Sequence, residues 1–191
     1  PPADELSNMT TTAPKVVTSA MAPTTAGEGG VKNFADPEIG YGIAYPSQWI
    51  AAKSSPFTVI FNGKEGTDAY LATVSIQNVR ADGLAAADGS AATNVLTDLK
   101  SWLAQEMKNV SYAGERSYAY SRGGLRLDGH EFQVSYSRKN QRFQQWTVIV
   151  PRPVGKIAHV WSYTAPQALF GSFRPIAAAM LNSWAIYPTG E

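Results

Sequence analysis

The chain has 191 residues, of which 44% are hydrophobic and 16% charged, with a formal net charge of +1 at pH 7 and no cysteine. A chain of this length folds as one domain whose core needs neither disulfide nor metal, and the near-neutral charge argues against nucleic acid as the main partner. The absence of cysteine excludes disulfides, thiolate zinc sites and cysteine nucleophiles, and it favours an oxidising compartment.

Residues 1–30 are rich in Thr, Ala, Pro, Gly and Ser, and no aromatic residue occurs before Phe34. Such a segment buries too little apolar surface to offset the entropy that ordering costs, so we predict a flexible leader over 1–30 and a single domain over 31–191. We interpret the leader as a spacer that holds the domain away from a membrane anchor upstream of Pro1; a ragged terminus is the alternative.

Alternation of apolar and polar residues predicts strands in the first half of the domain, at Gly40–Tyr45, Phe57–Phe61 and Tyr70–Val79. The Gly- and Ala-rich segment Asp82–Ser90 is a predicted loop. The apolar period then changes to three and four residues, which predicts an amphipathic helix over Ala91–Lys108.

The second half is predicted to contain further strands, a last helix and a short terminal strand. The strands are Arg116–Ser121, then Leu125–Leu127 continuing across a turn at Asp128-Gly129 to Glu131–Ser137, then Phe143–Pro151 and Lys156–Tyr163. The segment Thr164-Ala165-Pro166 is expected to open the helix, Pro175 to kink or restart it near Ser172, and Trp184–Tyr187 to form the terminal strand. Strands segregated from helices indicate an α+β protein, with an antiparallel sheet and helices packed on its faces.

Three sets of residues resemble motifs of the PsbP-like superfamily, which includes photosystem II extrinsic proteins and many bacterial envelope lipoproteins. They are the opening Tyr41–Trp49, the central Leu127–Glu131 with Val134–Ser137, and the closing Tyr163–Pro166, Phe173–Pro175 and Met180–Trp184, where Trp184 stands in place of the usual Phe. The resemblance implies an α/β/α sandwich with a central antiparallel sheet. It implies a binding, assembly or accessory role more than any chemistry, because the superfamily shares a scaffold.

No pattern in the chain predicts catalysis, a metal site or a cofactor. His130 and His159 lack the spacing of metal ligands, and each is interpreted as structural or exposed. No G-x-S-x-G nucleophile elbow, EF-hand loop or phosphate-binding loop occurs. Trp49, after the strand-ending Pro46, is predicted to lie in the core.

The C-terminal third is locally basic, because no Asp or Glu occurs between Phe132 and Gly190. Charges at the polar hairpin tip Arg138–Arg142 are ordinarily solvated and discourage edge pairing. The alternative is a patch that meets acidic lipid headgroups, cell-wall polymer or an acidic protein surface. Its candidate binding residues are Arg138, Lys139 and Arg142, with Arg152 and Lys156 from the neighbouring turn.

The function that we predict is a non-enzymatic binding or assembly module of the bacterial cell envelope, an exported protein or lipoprotein of the periplasm or envelope that meets a protein or an envelope component. A small hydrolase-type enzyme with a cleft between sheet and helix is one alternative. A cytosolic partner-specific chaperone or adaptor is the other.

Overall fold

The computed structural model describes residues 29–81, 91–153 and 156–188. Almost all of the predicted leader and the predicted loop Asp82–Ser90 lie outside these ranges, so both stay predictions. Within the ranges, the strands are β1 (Val31–Asp36), β2 (Tyr41–Pro46), β3 (Ile50–Ser55), β4 (Thr58–Asn62), β5 (Thr73–Arg80), β6 (Lys108–Arg122), β7 (Leu125–Arg138), β8 (Gln141–Pro151), β9 (Ile157–Pro166) and β10 (Ala185–Ile186). The helices are α1 (Ala91–Glu106) and α2 (Gln167–Ser183), with a short 3₁₀ helix at Asp68–Tyr70.

The strands form two antiparallel sheets. The large sheet has the order β3-β4-β5-β9-β8-β7-β6, and the small one has the order β1-β2-β10. All neighbouring strands of the large sheet pair in the antiparallel direction. This is expected for a chain in which helices do not alternate regularly with strands.

Each face of the large sheet carries its own hydrophobic core. On β9, Ala158 and Val160 belong to the core beneath α1, whereas Trp161 and Tyr163 belong to the core shared with α2 and the small sheet. This division follows from the period of two in a strand, which sends successive side chains to opposite faces. The domain is therefore the predicted α+β structure, an α/β/α sandwich with a central antiparallel sheet.

The small sheet is joined to α2 by a side-chain bridge. The hydroxyl of Ser183, at the end of α2, accepts a hydrogen bond from the Ala44 backbone N–H at 3.0 Å. It also lies 2.7 Å from the carbonyl oxygen of Met180 and 3.3 Å from that of Ala44. Trp49 is 5% exposed in the core shared with α2, which confirms its predicted place in the core.

The predicted turn at Asp128-Gly129 is wrong, because β7 runs without interruption from Leu125 to Arg138. Gly129 serves a close approach between strands instead. A Cβ atom at this position would lie 2.1 Å from the carbonyl oxygen of Ile149 on β8, so only glycine fits there.

The start of the last helix also differs from the prediction. Thr164, Ala165 and Pro166 complete β9, and α2 begins at Gln167. The helix is a single element through Pro175, so the predicted restart near Ser172 is wrong. Strands β1 and β3 were not predicted, because neither Val31–Asp36 nor Ile50–Ser55 shows a clear apolar alternation.

Candidate functional site

Among the described residues, nothing covers one part of the large sheet on the side that carries α2. On β7, Phe132, Val134 and Tyr136 are buried beneath α1, whereas Gln133, Ser135 and Ser137, which face the α2 side, are only half-buried. Gln144 on β8 shares this side and is also half-buried. We call the uncovered part of this side the open face; its residues are Ser111 and Ala113 of β6, Gln133, Ser135 and Ser137 of β7, and Arg142 and Gln144 of β8.

Arg142 lies at one end of the open face and is held by uncharged groups. Its Nη1 donates to the backbone oxygen of Asn109 at 2.7 Å and lies 3.4 Å from Oγ of Ser137. Because both partners are neutral, the guanidinium keeps its full charge at the surface while its position is restrained.

Arg174 extends from α2 over the other part of the open face. Its Cζ lies 5.0 Å from the ring centroid of Trp146 and 6.0 Å from that of Phe170, in cation–π geometry. Its Nη1 makes one long contact, at 3.5 Å, with Oε1 of Gln133. The stacked guanidinium therefore has donors available for a ligand.

The carboxylate on this side of the sheet is Glu131, and it is already neutralised. Arg116 donates two hydrogen bonds to it, at 3.0 and 3.1 Å, and Nε1 of Trp146 donates a third at 2.9 Å. The hydrogen bond with Glu131 raises the pKa of Arg116. In the described ranges no salt bridge involves Arg142 or Arg174, so the open face carries a net positive charge.

The hairpin tip between β7 and β8 adds further positive charge beside Arg142. Lys139 and Asn140 have φ angles of 47° and 63°, the conformation of a two-residue type I′ turn, and both are exposed. Lys108, at the start of β6, pairs with Ser137 and brings a base that the sequence patterns had not indicated. Lys108, Lys139 and Arg142 are close to one another at this end of the sheet, whereas Arg138 alternates with Ser137 and lies on the α1 side near Tyr136. Whether these residues bind a partner stays a prediction.

Arg152 and Lys156 do not join this group, and the prediction of one patch of five bases needs correction in this respect. Arg152 follows the last residue of β8, whereas Arg142 is the second residue of that strand. Ten residues at about 3.3 Å each place the two roughly 33 Å apart. Nη2 of Arg152 donates instead to the backbone oxygen of Glu38 at 3.2 Å, and Lys156 directly precedes the first residue of β9. Whether either group binds a partner stays a prediction.

His159 lies deep in the core beneath the small sheet. Its Nδ1 is 2.6 Å from Oδ1 of Asn78, and the rings of Tyr41 and Trp184 meet its ring edge-to-face at 5.5 and 6.0 Å. Burial lowers the pKa of His159 to about 3, with a contribution from the charge of Arg152. This confirms the structural interpretation of His159.

His130 lies 3.0 Å, through its Nε2, from Oγ1 of Thr93. Across the described ranges, no three or more His, Cys, Asp or Glu side chains are grouped as a metal site would require. No helix of the described chain is long and apolar enough to cross a membrane.

Comparison with solved structures finds the same architecture in several proteins of low sequence identity. Cyanobacterial PsbP (CyanoP) from Synechocystis matches 87% of this chain and 98% of its own, with a TM-score of 0.55 and 15% identity. The domain has a PsbP-like fold. LpqN of Mycobacterium tuberculosis, described as involved in cell envelope biogenesis, matches 83% of this chain and 92% of its own, with a TM-score of 0.51 and 15% identity. The Saccharomyces cerevisiae Ran-binding protein Mog1p matches 83% of this chain and 96% of its own, with a TM-score of 0.54 and 11% identity. No family model and no curated protein sequence matches the chain.

Most residues of the opening and closing motifs serve packing in the PsbP-like domain. Tyr41, Trp49 and Trp184 are all buried in the core shared with α2. Arg174, from the closing motif, is instead exposed and stands at the open face. The motifs therefore predict the scaffold, whereas the basic character of the open face depends on residues outside them such as Arg142.

Proposed function

We propose that this PsbP-like domain is a non-enzymatic binding or assembly module of the bacterial cell envelope, and that its partner binds at the open face. The partner is a protein or another envelope component that carries negative charge. The neighbouring bases Lys108 and Lys139 extend the same positive surface.

The observation that carries the proposal is the pair Arg142 and Arg174, which flank a part of the sheet that neither α1 nor α2 covers. Both guanidinium groups are positioned by neutral partners, and the acid beside them is neutralised by Arg116. Arginine that is held in place and stacked on an aromatic ring is enriched where proteins bind their partners. A rigid strand floor adds precision that a loop would not provide.

The titratable groups with the largest pKa shifts support a binding role over a catalytic one. Burial raises the pKa of Tyr41 and lowers that of His159, and both side chains are sealed in the core at 0% exposure. A general acid or base must reach the proton that it transfers. These two groups have no such access.

Three features favour the envelope as the compartment. The chain has no cysteine, the composition of residues 1–30 is that of a spacer, and LpqN, which shares the fold, is described as involved in cell envelope biogenesis. A partner-specific adaptor in the cytosol is the second candidate, because the same fold also occurs in a Ran-binding protein.

The experiment is site-specific photocrosslinking in the native host, combined with cell fractionation. A photoreactive residue replaces Ser135 on the open face, and in the control it replaces Ser101 on the exposed side of α1. We expect a defined adduct from position 135, in the envelope fraction, that the variants Arg142→Gln and Arg174→Gln reduce.

Two results would contradict the proposal. Equal adducts from positions 135 and 101 would remove the open face as the binding surface. A protein confined to the cytosolic fraction would remove the envelope and leave the adaptor as the function.

A further inference from the structure

We infer that the ligand of the open face is an extended acidic segment of a partner protein, with two carboxylates four residues apart that pair with Arg142 and Arg174. The inference rests on the proposed function, namely that the open face binds a partner, and it specifies the chemistry of that partner.

The spacing of the two arginines matches an extended chain. Arg142 and Trp146 are four residues apart on β8, and Arg174 is stacked on the Trp146 ring. Four residues of a strand span about 13 Å. In an extended peptide, side chains at positions i and i+4 lie on the same side and are separated by the same distance, so each carboxylate faces one guanidinium.

The surface between the arginines consists of uncharged side chains, most of which can form hydrogen bonds. Gln144 on β8 and Gln133 and Ser135 on β7 are half-buried there, and Ser111 and Ala113 on β6 are small and exposed. Such a floor leaves room for a backbone to lie flat and offers it donors and acceptors. Bulky or charged side chains at these positions would instead keep the backbone away.

The same surface does not suit the binding of a membrane. Interfacial binding needs apolar side chains that enter the lipid. On the open face the indole of Trp146 is only 7% exposed, beneath Arg174. The exposed large apolar side chains of the described chain lie elsewhere: Val31, Ile50 and Phe57 belong to β1 and to the edge formed by β3 and β4, and Tyr112 points to the α1 side against Phe132.

The charge on the open face decides the sign of the ligand. Glu131 is paired with Arg116, and from Phe132 to Gly190 the chain has no acid that could neutralise Arg142 or Arg174. A ligand with carboxylates therefore gains two charge-assisted hydrogen-bonded pairs, whereas an uncharged segment gains neither.

The test uses fluorescent synthetic peptides and measures binding by anisotropy at low ionic strength. The probe is a short Ser/Thr peptide with two Glu residues four positions apart. One comparison peptide has two adjacent Glu residues, which keeps the charge but changes the spacing, and another has Gln at both positions. We expect the spaced peptide to bind about threefold or more tighter than the adjacent one, and the Gln peptide to bind least.

Matched protein variants locate the site. Arg142→Gln and Arg174→Gln should each weaken the spaced peptide by about three- to tenfold. Arg152→Gln is the control, because Arg152 lies at the opposite end of β8 and also donates to a backbone carbonyl. It should leave the affinity unchanged. Ser135→Trp, which fills the floor without changing the charge, should also weaken binding, and thermal unfolding verifies that each variant is folded.

The outcomes separate this inference from the proposed function. Equal binding of the spaced and Gln peptides would overturn the acidic-segment inference. Binding of phosphatidylglycerol vesicles that depends on Arg142 and Arg174, without peptide binding, would also overturn it while the open face remained a binding surface. Loss of the position-135 crosslink would count against the proposed function itself.

Discussion

Because His159 is buried without charge, the free energy of unfolding should decrease as the pH falls, and the size of this decrease can be calculated. The side chain is fully buried, and its Nδ1 faces Oδ1 of Asn78 at 2.6 Å. Because Nδ2 of Asn78 donates to the backbone oxygen of Ile39, Oδ1 of Asn78 is left as the acceptor, and Nδ1 of His159 carries the proton. Nε2 then holds a lone pair in the core, with no hydrogen-bond partner among the described residues.

The direction of the effect follows from the two pKa values. Burial and the nearby charge of Arg152 lower the pKa of His159 to about 3 in the folded state, against 6.5 for an unperturbed histidine. Above pH 6.5 neither state binds the proton, and the contribution to stability is fully present. Between pH 6.5 and 3 only the unfolded state binds it, so stability is lost as the pH falls. At 1.36 kcal/mol per unit, the loss between pH 6.5 and 4.5 is about 2.7 kcal/mol.

The perturbation is His159→Gln, with His130→Gln as the matched control, and the assay is urea unfolding at pH 7 and pH 4.5. His159→Gln should lower the free energy of unfolding at pH 7, because it disturbs packing against Tyr41 and Trp184. Its decrease in stability from pH 7 to 4.5 should nevertheless be smaller than that of the unmodified protein by about 2.7 kcal/mol. If the two decreases were equal, protonation of this histidine would not be coupled to unfolding.

Two further pairs of variants test the packing of the fold. Gly129→Ala should destabilise by about 3 kcal/mol or more, because its Cβ would overlap the carbonyl oxygen of Ile149, whereas Gly171→Ala, in the open on α2, should stabilise by about 0.5–1 kcal/mol; similar thermal shifts for both would refute the close approach. Ser183→Ala should cost about 1–2 kcal/mol because it removes the bridge between α2 and β2, and Ser172→Ala, which is exposed on the same helix, should change stability by less than about 0.5 kcal/mol. Equal unfolding midpoints for the two serine variants would show that the bridge contributes nothing.

The strongly periodic elements and the PsbP-like fold were predictable from residue order alone. The run Ala91–Lys108 repeats its apolar residues every three and four positions, and α1 occupies Ala91–Glu106. Trp49 and the apolar residues Val74 and Ile76 of β5 are buried as their pattern predicts, although Ser75 and Gln77 between them, which predicted a half-buried strand, are buried too. In these segments local preference and the final environment agree, because each periodic face meets a core large enough to cover it.

The path of the chain at its glycines and prolines was decided by neighbours distant in sequence. Asp128-Gly129 has the composition of a turn, but β8 approaches β7 so closely that the glycine is needed inside a continuous strand. Pro166 is a residue type favoured at the start of a helix, but its pairing with Phe143 of β8 keeps it in β9. Local composition does not contain these cross-strand contacts.

The candidate site was decided almost wholly by tertiary structure. The sequence indicated Arg138, Lys139 and Arg142 as a basic group, because they are adjacent along the chain. The prediction that Arg152 belongs to the same patch was wrong, because Arg142 and Arg152 lie at opposite ends of the extended strand β8. That Arg174 and Arg142 share one face depends on which strands α2 covers, and this is set by the packing of Phe170 and Phe173 rather than by any local pattern. Periodicity reports which side of an element is apolar, whereas only the assembled sheet determines which polar side chains from distant segments meet.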